Sequence, residues 1–351
     1  MTQITVADLA AEHRHVFSRA ILAVLDTEEA IFTYAQILDG LPTAATFIDS
    51  RAGLDRDHPL RQHTQLCPGA LEKAQEYRRS FNPNVLSFEV KLAQAFQDAE
   101  LGTSEFNMRL IEMVAVALHR IAVVLYQSDD VGHKDDSVAI TTWQRPISDE
   151  ELDRRGLVRL KSPETLFSHW SYVRKDAYPN GVADIVGYWA ENRILGGVVL
   201  FGRGVSGFGV RNSDSFAQLY GRLTGVQCDG VYLHSNREGV TYRIYKLLDS
   251  QVDALLDFLL GSSNTNPLPI RGDEKNRDRI DPVDAIEVFR VFRDEWEREP
   301  TPRHSKMWTF WKRRPKNSFD YPELDDQRRA MEAFWREREV RREEERRQEN
   351  S

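Results

Sequence analysis

The chain has 351 residues, a net charge of -8 and an isoelectric point near 5.7. That length allows a sizeable core, and the acidic balance excludes a wholly basic nucleic-acid binder while leaving room for a local basic patch. Two cysteines, Cys67 and Cys228, are too few for a disulfide scaffold and lack the paired spacing of a structural zinc motif, so a reducing compartment is expected.

In chain order, residues 1–128 read as a helical region. Leu9, Val16, Phe17, Ile21, Leu22 and Leu25 recur on one helical face, and the run Asp26, Thr27, Glu28, Glu29 has the spacing of a capping box that starts a second helix. Further helices are expected over 69–79, 85–99 and 105–126. The last carries Arg109, Glu112, His119 and Arg120 on a polar edge and is too polar to cross a bilayer. The first twenty residues hold acids and histidines where a signal peptide needs an apolar run, so a soluble, cytoplasmic protein with no membrane partner is expected.

From 138 to 261 the period changes to that of a central sheet domain. Strands are expected at 138–143, 193–201, 230–235 and 240–246, the last two joined as a hairpin through Asn236 to Gly239. The unbroken apolar run from Ile194 to Phe201 predicts a strand buried on both faces, whereas Val231, Leu233, Tyr242 and Ile244 alternate as half-buried strands do. Asp249 and Ser250 open a helix that ends at Gly261. Residues 262–351 form a helical arm: Asp281 and Pro282 start a helix with Ile286, Phe289, Phe292 and Trp296 as its apolar stripe, then comes a basic aromatic segment, then a charged helix whose final turns should fray. The fold class is α+β or α/β, with a helical N-terminal region, a central mixed sheet with flanking helices and a charged helical C-terminal arm.

Several constellations could carry chemistry. Gly202, Gly204 and Gly207 satisfy G-x-G-x-x-G behind a strand, but the next helix starts too late for a dinucleotide turn, and no cofactor is expected. Ser206, in that loop, is a candidate nucleophile, with His234, Asp184 or Glu191 as possible bases. On a helix, Asp184, Tyr188 and Glu191 share a face at spacings of four and three, and could hold an amine or an acceptor hydroxyl. The structural alternative is an internal ion pair, Glu191 with Arg193 or Asp184 with Arg203. His58, His63 and Cys67, like His13 and His15, have no matched second half of a ligand set, so no metal is expected. Arg303, Lys306, Lys312, Arg313, Arg314 and Lys316 are interleaved with Trp308, Phe310 and Trp311 and contain no acid among them, a composition suited either to RNA or to packing the arm onto the body.

The blocks GVADIVGYWAENRILGGVVLFGRG and GVYLHSNREGVTYRIYKLL resemble those of a group of filamentous-fungal proteins with an ADxVGYWAExRIxGGVVLFxRG block. The activity this resemblance implies is that of arginine-containing cyclodipeptide synthases, which are similar to bacterial cyclodipeptide synthases in using aminoacyl-tRNA. Bacterial members place a serine just after the first strand of a Rossmann-like domain to accept the first aminoacyl group, with tyrosine and glutamate nearby. Ser206, Tyr188 and Glu191 resemble that arrangement, while the long helical N-terminus departs from it. The implied function is a tRNA-dependent aminoacyl transferase of fungal secondary metabolism that forms an arginine-containing cyclic dipeptide. The alternatives are a non-catalytic interaction protein and a nucleotide-dependent oxidoreductase.

Overall fold

Capped helices build the first third of the chain. The computed structural model describes residues 3–50, 53–129, 132–133, 136–148, 151, 154, 162–203, 230–294, 296–298 and 316–349. Strand β1 (Gln3–Thr5) leads into α1 (Ala11–Leu25) and α2 (Glu28–Asp39). The cap of α2 is Thr27 rather than Asp26: its side chain accepts from the Ala30 amide at 3.2 Å, and Gly40 ends the helix in the left-handed region. Then follow α3 (Ala44–Ile48), α4 (Ala70–Ser80), β2 (Ser87–Glu89), α5 (Val90–Asp98) and α6 (Ser104–Gln127). The helix expected over 85–99 starts later because Ser87–Glu89 pairs antiparallel with β1.

The segment 138–143 is not a strand. Ser137–Thr141 forms a short helix, α7, which leaves its β-branched side chains without a sheet to join. Helix α8 (Val182–Leu195) absorbs the first residues of the next expected strand, which itself runs only over β3 (Val198–Gly202). Gly196 makes the turn between them at φ 99°, and a β-carbon there would fall 1.9 Å from the Ile270 carbonyl oxygen.

Strands β4 (Val231–His234), β5 (Ile244–Lys246), β6 (Arg279–Ile280) and β7 (Val291–Phe292) complete a five-stranded sheet of order β6-β5-β4-β3-β7. Each of its four pairings is antiparallel, with Val198 opposite His234 and Phe201 opposite both Val231 and Phe292. The sheet is therefore antiparallel rather than mixed, and the fold is α+β. Because β3 has antiparallel neighbours on both sides, the described strands do not form the parallel βαβ unit that gives a glycine fingerprint its dinucleotide meaning. Helix α9 (Asp249–Leu259) lies against α1, and α10 (Pro282–Ala285) is short. The helix expected to continue through Trp296 stops because Arg290 turns left-handed at φ 55° and the next residues join the sheet edge as β7. Helix α11 (Glu323–Glu349) is almost wholly exposed.

One face of the sheet, with Val199, Phe201, Val231 and Leu233, shares an apolar core with the helices of the first third and with Val186, Trp189 and Ile194 of α8. The other face, with Val198, Leu200, Tyr232 and Ile244, packs on Tyr172, Ile185 and Tyr188. Strands β3 and β4 are thus buried on both faces, each large apolar side chain contributing roughly 1.5–3 kcal/mol, so the half-buried reading of Val231 and Leu233 is corrected. Among the described residues no helix is long and apolar enough to cross a membrane.

Candidate functional site

Helix α8 presents Asp184, Tyr188 and Glu191 on one face, as their spacing predicts, and that face meets α6. The imidazole of His119 from α6 lies between the two carboxylates. Its Nε2 is 3.0 Å from Asp184 Oδ1 and its Nδ1 is 2.9 Å from Glu191 Oε1. The ring edge meets the Tyr188 ring at 4.6 Å between centroids. Asp184 sits in the first turn of α8, where it also accepts from the Asn180 amide at 2.7 Å and from Asn180 Nδ2 at 3.0 Å.

The chain of charge continues into β7. Arg293 Nη1 donates to Glu191 Oε2 at 2.7 Å, and its guanidinium lies 5.3 Å from the Tyr188 ring centre. The Arg293 and Asp294 amides donate to Glu297, whose other oxygen accepts from Arg298 at 3.1 Å. Arg298 in turn lies over Tyr172, which stacks on Tyr188 at 4.5 Å. His119, Asp184, Tyr188, Glu191, Arg293, Glu297, Arg298 and Tyr172 are all buried, while Asn180 is exposed.

Burial opposes charge on each group; at Glu297 it prevails and raises the carboxyl, whereas at His119, Asp184 and Glu191 the partners outweigh it. Burial depresses His119, but the hydrogen bonds to Asp184 and Glu191 leave it above the ordinary histidine range. Burial raises Glu191, but the charge of Arg293 and the His119 contact hold it below the ordinary carboxylate range, and Asp184 is lowered by His119 against its burial in the same way. Imidazolium, two carboxylates and guanidinium balance to zero, which is what makes so much buried charge tolerable. Two polar atoms stand outside this balance. Among the described residues, the Tyr188 hydroxyl and His234 Nε2 are buried with no hydrogen-bond partner.

The expected ion pairs are not those that form. Arg193 reaches Asp49 at 2.6 Å, where Arg237 also binds at 3.0 Å, and Arg203 pairs with Glu112. His234 is not beside the carboxylates: its Nδ1 meets the Tyr172 hydroxyl at 3.1 Å, and burial holds it well below the ordinary histidine range. Ser206, Arg303, Lys306, Lys312, Arg313 and Arg314 lie outside the described residues. Lys316 lies within them, exposed, with its ammonium 4.8 Å from the Tyr321 ring centre. His119 and Arg293 are the functional candidates that sequence reasoning missed. The available signal for His119 was a histidine within the longest apolar segment of the sequence, 108–125.

A second constellation lies at the C-terminal end of α2. Asp39, His63, Cys67 and His133 bring one potential metal-ligating atom each to within 4.8 Å of one another. Cys67 Sγ is 2.9 Å from His133 Nε2, and His63 Nε2 is 3.0 Å from Asp39 Oδ2. Burial, and then the neighbouring Asp39 carboxylate, push the Cys67 thiol up. A groove of about 500 Å³ runs past Cys67, lined also by Thr43, Thr46, Gln65 and Glu72. Asp39 and His133 supply the second half of the ligand set that local spacing around His63 and Cys67 lacked.

No protein-family model, no curated protein and no solved structure matches this chain.

Proposed function

We propose that the chain is a tRNA-dependent aminoacyl transferase that forms an arginine-containing cyclic dipeptide, with Tyr188 and Glu191 at its reaction centre. The observation that carries this reading is the Tyr188 hydroxyl. Among the described residues it is buried without a hydrogen-bond partner, one helical turn from a carboxylate held ionised by Arg293 and His119. An unsatisfied buried hydroxyl costs stability, so its retention beside a fixed negative charge is accounted for by a group that it engages during turnover. A substrate amine or carbonyl is of the right kind: the hydroxyl can donate to the carbonyl or accept from the amine, while Glu191 fixes the local field. The resemblance of the 181–204 and 230–248 blocks to the fungal group supplies the substrate class. The antiparallel sheet departs from the Rossmann-like domain of the bacterial enzymes, so the proposal concerns the activity and not that fold.

The experiment is expression of the full chain in a bacterial host, followed by mass analysis of small products. Cyclic dipeptides containing arginine, absent from the empty-vector host, are expected. Their absence from a host that accumulates folded protein would contradict the proposal. In the same frame, changing Lys312, Arg313 and Arg314 to glutamine is expected to weaken tRNA binding and reduce its salt dependence, since each phosphate contact contributes a slope of about 0.7 to 0.9.

A second reading, a partner-binding protein, is favoured by α11. Met331, Phe334 and Trp335 recur there at helical spacing and are all more than half exposed, a narrow apolar stripe on an otherwise charged helix. Loss of a co-purifying partner on changing Phe334 and Trp335 to serine, with no cyclic product from the wild type, would favour it.

A further inference from the structure

Asp39, the His63–Cys67 pair and His133 come from three separate stretches of chain and are brought together by the fold. We propose that they bind one zinc ion, which ties the His63–Cys67 segment and the Gly132–His133 turn to the C-terminal end of α2. The site is separate from the Glu191 network and does not depend on the function proposed for it.

One thiol, two imidazoles and one carboxylate form a borderline-soft donor set of the kind zinc takes, and four protein donors close its tetrahedron, which marks a structural rather than a catalytic site. The edges of a zinc tetrahedron are roughly 3.3 to 3.8 Å for such bonds. The sulfur-to-His133 and His63-to-Asp39 separations, 2.9 and 3.0 Å, are somewhat shorter, while no pair exceeds 4.8 Å. The cluster therefore reaches zinc geometry by shifts of about an ångström or less, with the thiol proton released to solvent as the metal enters.

Two observations call for a cation here. Asp39 is 1% exposed; among the described residues no guanidinium or ammonium lies within ion-pair distance of it and its Oδ1 has no hydrogen-bond partner. Its remaining contacts are His63 and the Cys67 amide, at 3.2 Å. His63 Nε2 is also buried and, although close to Asp39, makes no hydrogen bond to any described residue. A buried carboxylate and a buried ring nitrogen, both incompletely satisfied and facing a thiol and a second imidazole, are the unpaired atoms that a divalent ion would satisfy.

The backbone holds the fourth ligand in place. The Gly132 amide donates to the Leu38 carbonyl at 2.7 Å, so closely that a β-carbon at 132 would fall 2.8 Å from the Asp39 carbonyl oxygen. His133 follows at φ 47°, a left-handed value that few residues other than glycine adopt. By contrast His58, which sequence spacing groups with His63 and Cys67, is engaged elsewhere: its Nδ1 accepts from the Leu60 amide and its ring meets Trp143.

The test uses the full chain, stripped of metal with a chelator and then titrated with zinc against a chromogenic chelator, and separately with cobalt(II). Expected are one zinc per chain, and a cobalt complex with the visible bands of tetrahedral geometry and a thiolate charge-transfer band. Cys67→Ser should lose that band. Cys67→Ser and His133→Ala should each weaken zinc by at least about a hundredfold, more than loss of an outer-shell partner costs, while His58→Ala binds as the wild type does. Zinc should raise the melting temperature of the wild type and of His58→Ala but not of Cys67→Ser. A wild-type cobalt complex without the thiolate band would overturn the proposal whether or not the variants fold. So would equal weakening by His58→Ala and His133→Ala.

Discussion

The imidazole of His119 occupies the space that a side chain at Gly187 would need. A β-carbon built on Gly187 falls 2.5 Å from the ring, and the carboxylates of Asp184 and Glu191 hold that ring from either side. The glycine is in helical conformation, so its role is close approach rather than backbone freedom. Gly187→Ala should therefore destabilise the fold by about 1 to 3 kcal/mol, despite the better helix propensity of alanine. Urea unfolding measures this, and a variant as stable as the wild type would show that α6 and α8 are not pressed together through this ring.

Glu191 and Arg293 form a buried pair whose members are each charged because of the other. Replacing Arg293 by methionine leaves Glu191 with only His119 and should cost about 3 to 5 kcal/mol. Adding Glu191→Leu should recover part of that loss, because the orphaned charge is gone. A double-mutant cycle by urea unfolding reads the coupling, and strictly additive effects would mean that the pair is not a unit.

Much of this site was legible in sequence and its partners were not. The shared face of Asp184, Tyr188 and Glu191 follows from helical spacing alone. The pairing of Glu191 with Arg193 fails for the same reason: residues two apart point to different sides of a helix, and Arg193 goes to Asp49. His119 and Arg293 lie 72 and 102 residues from Glu191, and only the packing of α6 and β7 around α8 joins them. Of the four residues that could hold a metal ion, where the sequence suggested none, His63 and Cys67 are close in sequence but Asp39 and His133 arrive through tertiary structure. The strand expected at 138–143 shows the limit of β-branched content, which marks a strand only where a neighbour accepts its edge.

The buried histidines give stability a pH dependence with a definite sign. Burial holds His169 down at about 3, and His234, in contact with it, is also well below the ordinary range. Both are neutral in the fold and protonate near 6.5 once unfolded. The unfolded state therefore binds more protons as pH falls below about 6.5, and stability should decline at roughly 1.4 kcal/mol per pH unit for each histidine. His119 acts oppositely, since its raised value makes its contribution full at low pH and lost as pH rises through that value. Unfolding free energies between about pH 6.5 and pH 5, above the ordinary carboxylate range, should slope downward with acid in the wild type and less steeply in His169→Asn. Equal slopes would show that His169 is protonated in the fold.

The proposed role of Tyr188 in chemistry rather than stability is tested most directly by Tyr188→Phe. The hydroxyl has no hydrogen-bond partner among the described residues, while the ring keeps its contacts with His119, Tyr172 and Arg293. Removing the oxygen should leave unfolding free energy unchanged or higher. Measured alongside the wild type for stability and for arginine-containing cyclic product, the phenylalanine variant should be at least as stable and make little or no product. A variant that makes wild-type amounts of product, or that loses product only because it no longer folds, would contradict that role.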